Sequence, residues 1–268
     1  MLVNQDLASL ISVTREHRND VLLFLVAFDG VLTDYREDPN DVQVPRSRAA
    51  LLRRLQQVPG VVVGVISGRP VADLRSRIAL ADGAVYIGLH GLEVVGAEFA
   101  WSRMDEASGF QAHLHTVVDR LRDVVADTPG LRLECKGPVI ALHTRQAGSE
   151  DAVWSRFQLL STAADLLDAG ALQVLRGNEV FELLPNVGHP RGDALLAVRR
   201  SIEHHRQQHV FTVYVGEDIA DDDAVNALVE EDAVAAVLGR RRSNAHYHLT
   251  SREDIDVFMR ELIACRRQ

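Results

Sequence analysis

The chain has 268 residues, enough for one large or two modest domains with a sizeable core. Hydrophobic residues make up 47% and charged residues 25%, the balance of an ordinary soluble globular protein. A formal net charge of −9 argues against nucleic acid or an anionic membrane as partner, so an anionic ligand would need a local cationic pocket or a bound cation.

The apolar pattern predicts a short amphipathic helix over 7–17 and a buried strand over 21–28 that ends in Asp29-Gly30, where glycine lets the backbone turn sharply. Pro45 opens a helix through 57, proline being tolerated in a first turn. A second strand over 61–66 lies between Pro59-Gly60 and Ser67-Gly68, followed by a helix over 71–79 and a strand over 84–87. Unbroken apolar strands alternating with helices predict a parallel sheet covered on both faces. The pattern then changes. A helix over 110–125, strands over 131–135 and 139–144 across Lys136-Gly137-Pro138, a helix over 154–167, and strands over 172–176 and 180–184 across Gly177-Asn178 form an α+β unit. It reads as a cap domain at 98–185 inserted into a core domain of 1–97 and 186–268. The parallel pattern returns with a helix over 192–207, a strand over 210–215, a helix over 221–231 with an acidic first turn, and a strand over 233–238. Ser251, with Asp254 three residues on, caps a last helix, and Arg240 to Arg242 reads as a solvated turn. Cys135 and Cys265 lie far apart without metal-ligand spacing, which fits a reducing, cytoplasmic setting. The polar first 20 residues and the short apolar run after them show no signal peptide or membrane span.

Four chemistry-bearing positions end or follow the parallel strands: Asp29-Gly30, Ser67-Gly68-Arg69, Arg191-Gly192, and Glu217-Asp218 with Asp221. The carboxyl ends of such strands form the ligand crevice of an open α/β sheet. Phosphoryl transfer needs an anionic nucleophile, a cation, donors around the phosphate oxygens and an acid for the leaving group. Ser67 and the amides around Gly68 suit a phosphate at a helix start, and Arg191 supplies a cation. Glu217, Asp218 and Asp221 offer the oxygen ligands that Mg²⁺ prefers. Each position also has a plain reading: a turn pair, a common loop, a surface charge, a capped helix. Their order along the chain favours the joint one.

Residues 24–32, Phe-Leu-Val-Ala-Phe-Asp-Gly-Val-Leu, resemble the D-x-D-G-[TV]-L signature of the haloacid-dehalogenase-like phosphatases. An ordered set of motifs resembles one family among them, the trehalose-6-phosphate phosphatases. The set is Asp38-Pro39, Ser67-Gly68-Arg69, Gly88-x-His90-Gly91-x-Glu93, Glu134-x-Lys136 with His143-x-Arg145, Gly177 to Glu182 with Pro185, and Gly216-Glu217-Asp218-x-x-Asp221-Asp222-Asp223. The resemblance implies an α/β fold, a haloacid-dehalogenase-like Rossmannoid parallel-sheet core with an inserted α+β cap. It implies Mg²⁺ as cofactor and trehalose 6-phosphate as the small-molecule partner. By the same resemblance Asp29 is the general acid/base and binds the metal through its backbone carbonyl, and Glu217, Asp218 and Asp221 hold the metal with it. Ser67, Gly68, Arg69 and Arg191 hold phosphate. His90, Glu134, Lys136, His143, Arg145 and Glu182 meet the sugar; exposed strand-face charge is the plain reading of the cap members.

The departures carry more weight. Ala27 stands where the family has its nucleophilic aspartate, and a methyl group cannot form an aspartyl phosphate. Losing a covalent nucleophile costs about 10⁴- to 10⁶-fold in turnover, judged from another covalent enzyme. Asp29, two residues on, faces the leaving group in the family geometry and does not replace it. Arg191 stands for a lysine, Glu217 for an aspartate, Ala220 for a threonine and Asp222 for a glutamate. Two readings stay open: a phosphatase of this lineage that is severely impaired or inactive, and a non-catalytic, sugar-phosphate-binding regulatory pseudophosphatase. A phosphatase for a different sugar phosphate would need the missing nucleophile too.

Overall fold

Seven consecutive apolar residues, Val21–Ala27, are buried at every position and form the central strand of the protein. The computed structural model describes residues 5–96, 99–188 and 190–266, and the chain divides into two compact units, residues 1–101 with 189–268 and residues 102–188. The first unit begins with α1 (Gln5–Glu16), β1 (Val21–Ala27), α2 (Arg46–Gln56), β2 (Val61–Ile66), α3 (Val71–Arg77), β3 (Val85–Gly88), β4 (Glu93–Val95) and β5 (Ala100–Ser102). The second holds α4 (Met104–Ser108), α5 (Gln111–Asp127), β6 (Arg132–Lys136), β7 (Val139–His143), α6 (Ser149–Thr162), α7 (Ala164–Asp168), β8 (Leu172–Gly177) and β9 (Val180–Pro185). The first is completed by α8 (Pro190–Arg206), β10 (Val210–Gly216), α9 (Asp222–Ala227), β11 (Ala233–Leu238), β12 (Tyr247–Leu249) and α10 (Arg252–Cys265).

The first unit's sheet has the order β12-β11-β10-β1-β2-β3-β4-β5. β1 runs parallel to both neighbours, with Ala27 opposite Ile66 and Val26 opposite Val215. β2 and β11 are buried throughout, as β-branched and small apolar strands covered on both sides should be. From β1 the chain steps outward one way through β2 and β3, and the other way through β10, β11 and β12. The direction switches between β1 and β10, which opens a crevice at their carboxyl ends.

The sheet runs parallel from β12 to β3, as the pattern predicts, and β4 adds an antiparallel edge beside β3. Strands β4, β5 and β12 are three residues each, too short for alternation to reveal them. The helix expected over 221–231 is a 3₁₀ turn, Ile219–Asp221, followed by the short α9, because Asp218 and Asp221 form a reciprocal capping box there. The helix expected over 154–167 starts earlier, with Glu150 and Asp151 in its first turn, and breaks at Ala163 into α6 and α7. Ser251 caps α10 through Asp254 as expected. Among the described residues no helix is long and apolar enough to cross a membrane.

In the second unit the sheet order is β6-β7-β9-β8, antiparallel throughout. One face carries Ile140, Leu142, Leu172 and Leu183, which join Leu114, Val117, Leu121 and Leu159 of the helices in a small core. The opposite face carries Glu134, Lys136, His143 and Glu182, since alternate residues share a face and the register sets Glu134 and Glu182 on either side of Ala141.

Candidate active site

Three strand ends build the crevice. Ala27 closes β1; beside it β2 runs into Ser67, and on the other side β10 runs into Gly216-Glu217. Residue 27 therefore sits at the mouth of the sheet, 4% exposed, between the serine turn and the acidic turn. The chain leaves β1 in a tight turn through Asp29 and Gly30, and Gly30 has φ +81°. A side chain at Gly30 would collide with the Glu217 carboxylate and bring its Cβ within 2.7 Å of the Tyr35 hydroxyl. Glycine is needed there for both reasons.

Asp29 is held from two sides. Ser67 Oγ donates to Asp29 Oδ2 at 3.0 Å, and Arg69 donates to Asp29 Oδ1 through Nη2 at 2.9 Å and through Nε at 3.1 Å. The other arm of Arg69 reaches Asp73 at 3.1 Å, and its Nη2 also donates to the Pro39 carbonyl at 2.9 Å. Burial works to lower the Arg69 guanidinium, but Asp29 and Asp73 outweigh it and its pKa rises. The carboxylate expected as general acid/base and the arginine expected on phosphate are thus paired with each other, in charge-assisted bonds worth about 1.5–3 kcal/mol each.

A second assembly lies deeper. Arg191, opening α8, pairs with Asp221, and its Nη2 donates to His90 Nδ1 at 2.8 Å. Arginine can only donate, so His90 accepts through Nδ1. His90 was expected at the sugar; it is 2% exposed, in the left-handed region at φ 58°, and its ring orients Arg191. Asp221 is equally buried and satisfied on both oxygens. Tyr214 Oη donates to Oδ1 at 2.6 Å, while the Glu217 and Asp218 amides donate to Oδ2 at 2.7 and 2.9 Å. Burial, reinforced by Asp221, drives the Tyr214 phenol far up, so it stays a donor. Asp223 accepts from the Arg191 and Gly192 amides at 3.1 and 3.0 Å and so caps α8.

Glu217 turns toward Gly30 and accepts a hydrogen bond from Tyr35. Burial raises the Glu217 carboxyl; Tyr35 opposes the rise, and Asp218 and Asp221 add to it. Asp218 caps the 3₁₀ turn through the Ile219 amide at 2.6 Å. Arg241, expected in a solvated turn, instead donates to the Glu217 and Asp218 carbonyls at 2.7 and 2.8 Å and pairs with Asp222 at 2.7 Å. Arg252 donates to the Gly30 carbonyl at 2.6 Å. Sequence reasoning missed Tyr35, Tyr214, Arg241 and Arg252. Tyr214 looks like one more apolar strand residue, and the others sit in loops or helix starts without a period.

The second unit has its own polar cluster. His143 Nε2 lies 2.8 Å from Glu134 Oε2, and that hydrogen bond lowers the Glu134 carboxyl despite partial burial. Lys136 Nζ pairs with Glu182 Oε1 at 2.8 Å, with side chains only 11% and 7% exposed. Such burial departs from the plain reading of solvated strand charge. Arg145 lies past the end of β7 and pairs at 2.6 Å with Glu179 in the β8–β9 turn.

A carboxyl-end crevice of this make-up, on a sheet that switches direction beside β1 and is interrupted by an α+β unit, is the haloacid-dehalogenase-like architecture. Within it the chain belongs to the trehalose-phosphatase family, whose sequence model matches residues 25–253. It is 33% identical over 205 residues to the trehalose-phosphate phosphatase of Mycolicibacterium paratuberculosis, covering 75% of this chain and 50% of that protein. The chain spans about half the length of the curated relatives it matches. The C-terminal domain of Candida albicans trehalose-6-phosphate phosphatase superposes with a TM-score of 0.82 at 18% identity, over 98% of this chain and 97% of that one. The C-terminal domain of the Candida albicans trehalose synthase regulatory protein gives 0.69 at 15% identity, over 91% and 94%.

Haloacid-dehalogenase-like phosphatases generally depend on a metal, usually Mg²⁺. The residues in the crevice do not fit one as they are placed. Ala27 offers no oxygen from its side chain. Glu217 faces Tyr35, Asp218 caps a turn and Asp221 has four donors. No three of the carboxylates of Asp29, Glu217, Asp218 and Asp221 bring ligand atoms within 4.8 Å of one another.

Proposed function

We propose that this chain binds a sugar phosphate of the trehalose 6-phosphate class and hydrolyses it very poorly or not at all. The observation that carries the reading is Ala27 at the mouth of β1, flanked by Ser67 and Glu217, where a phosphatase of this family needs its attacking carboxylate. Ser67, Arg69 and Arg191 are proposed to hold the phosphate, Ser67 and Arg69 by exchanging their bonds to Asp29 for bonds to phosphate oxygens. Glu134, Lys136, His143 and Glu182 are proposed to meet sugar hydroxyls. Removing one negative charge from the mouth favours an anionic ligand while it abolishes covalent chemistry. A regulatory role has a counterpart in fold: one structural neighbour is named the C-terminal domain of a trehalose synthase regulatory protein.

The test is a pair of measurements on the full chain. Calorimetric titration with trehalose 6-phosphate should give saturable binding, and phosphate release from the same ligand with Mg²⁺ should stay near background. Turnover at rates normal for the family would show that another group attacks phosphorus. Silence toward trehalose 6-phosphate and other sugar phosphates would refute the binding role.

A further inference from the structure

At the opposite end of β1 from Ala27, about 20 Å away at 3.3 Å per strand residue, four side chains meet for no reason the phosphate crevice supplies. Asp20, His209 and Asp232 each immediately precede one of three adjacent parallel strands, β1, β10 and β11. His17 follows the end of α1 and lies against them. Asp20 Oδ2 is 2.8 Å from His17 Nδ1 and 3.5 Å from His209 Nδ1. On the far side of the rings Asp232 lies 3.1 Å from His209 Nε2 and 4.0 Å from His17 Nε2. Among the described residues, His17, Asp20 and His209 are the one group of three His, Cys, Asp or Glu residues whose ligand atoms all fall within 4.8 Å of one another.

We propose that His17, Asp20 and His209 form a binding site for a divalent transition metal of the Zn²⁺ class, with Asp232 orienting the His209 imidazole from behind. Two imidazole nitrogens and one carboxylate oxygen suit such an ion. Tetrahedral ligands at about 2.0–2.1 Å lie about 3.3–3.4 Å apart, a spacing bracketed by the 2.8 and 3.5 Å separations here. A metal-bound histidine commonly donates its second ring N–H to a carboxylate, which is the place Asp232 holds. The ligand backbone is also fixed in advance. The His17 ring stacks on Phe211 at 3.8 Å, and Arg266 donates to the His17 and Asp20 carbonyls at 2.7 and 2.8 Å. The Val21 amide donates to the His209 carbonyl at 3.0 Å, which ties β1 to β10 at the same level. An ion here would clip the end of α1 to β1 and β10. A fourth position stays open to water, since His209 and Asp232 are about half exposed.

The experiment uses tag-free, chelator-washed full chain titrated with Zn²⁺ by calorimetry and with Co²⁺ by absorption. One equivalent should bind saturably, with the visible bands of low-coordinate Co²⁺ and a raised melting temperature. His209→Asn, at an exposed position that should leave folding intact, should abolish the bands. Asp232→Asn should keep the stoichiometry but weaken binding about 10- to 100-fold. No saturable binding by the wild type, or binding unchanged in His209→Asn, would overturn the proposal. Electron paramagnetic resonance of the Cu²⁺-loaded wild type gives an independent check: two coordinated nitrogens support the site, and none refutes it.

Discussion

Ala27→Asp returns a carboxylate to the mouth of β1, and two effects of opposite sign follow. Residue 27 is 4% exposed, between Ser67 and Glu217, so the new charge has little water around it. A group poised to attack sits about 3–3.5 Å from phosphorus. With the charge centres about 4 Å apart, each unit of like charge raises the energy of a bound phosphate by about 1 kcal/mol in water-like surroundings and by about 4 at an effective dielectric constant of 20. In chelator, affinity for trehalose 6-phosphate should therefore fall about 5- to 1000-fold for each unit of charge on the phosphate. Turnover should recover far less than the 10⁴- to 10⁶-fold (order of magnitude) that a covalent nucleophile is worth. Arg69 holds Asp29, and Tyr35 and burial hold Glu217 away from a shared ion, so the variant should gain under about tenfold with Mg²⁺. Glu217→Asp in the same chain should add to it by shortening the displaced ligand. Calorimetry in chelator and phosphate release with Mg²⁺ read both effects. Tighter binding in chelator, or full recovery of turnover by Ala27→Asp alone, would refute the electrostatic and the metal-site arguments respectively.

Two further outcomes follow from the buried charges. Burial raises the Glu217 carboxyl, so its folded pKa exceeds the unfolded value of about 4.3, and stability falls as pH rises through that interval. Glu217→Gln keeps an acceptor for Tyr35 and should raise the melting temperature more at pH 8 than at pH 4; an equal or larger gain at pH 4 would contradict the burial argument. Asp221→Asn breaks the buried pair with Arg191 and sets an amide against Tyr214 and two backbone donors. Urea denaturation should show a loss of about 3–5 kcal/mol, and a loss under about 1 would mean Asp221 is not the hub of the acidic turn.

Much of this protein can be read along the chain. Apolar runs at 21–27, 61–66, 210–216 and 233–238 admit no exposed strand, and four of them separated by helices leave a doubly covered parallel sheet as the arrangement that buries them. That alone puts Asp29, Ser67 and Glu217 at one end of the sheet, because each follows such a run. It also exposes the absent carboxylate at Ala27, which is a matter of identity and not of contact. Pairing is different. That Arg69 holds Asp29, that His90 backs Arg191 instead of facing outward, and that Arg241 folds onto the Glu217 and Asp218 carbonyls depend on side-chain directions across 23 to 101 positions of chain. The His17, Asp20, His209 and Asp232 cluster has the same origin. His17 begins a loop of no particular pattern and the other three each end one, and only the adjacency of β1, β10 and β11 brings them together. Hydrophobic period reports which face of an element is buried; which polar groups then meet is decided by the packing of elements distant in sequence.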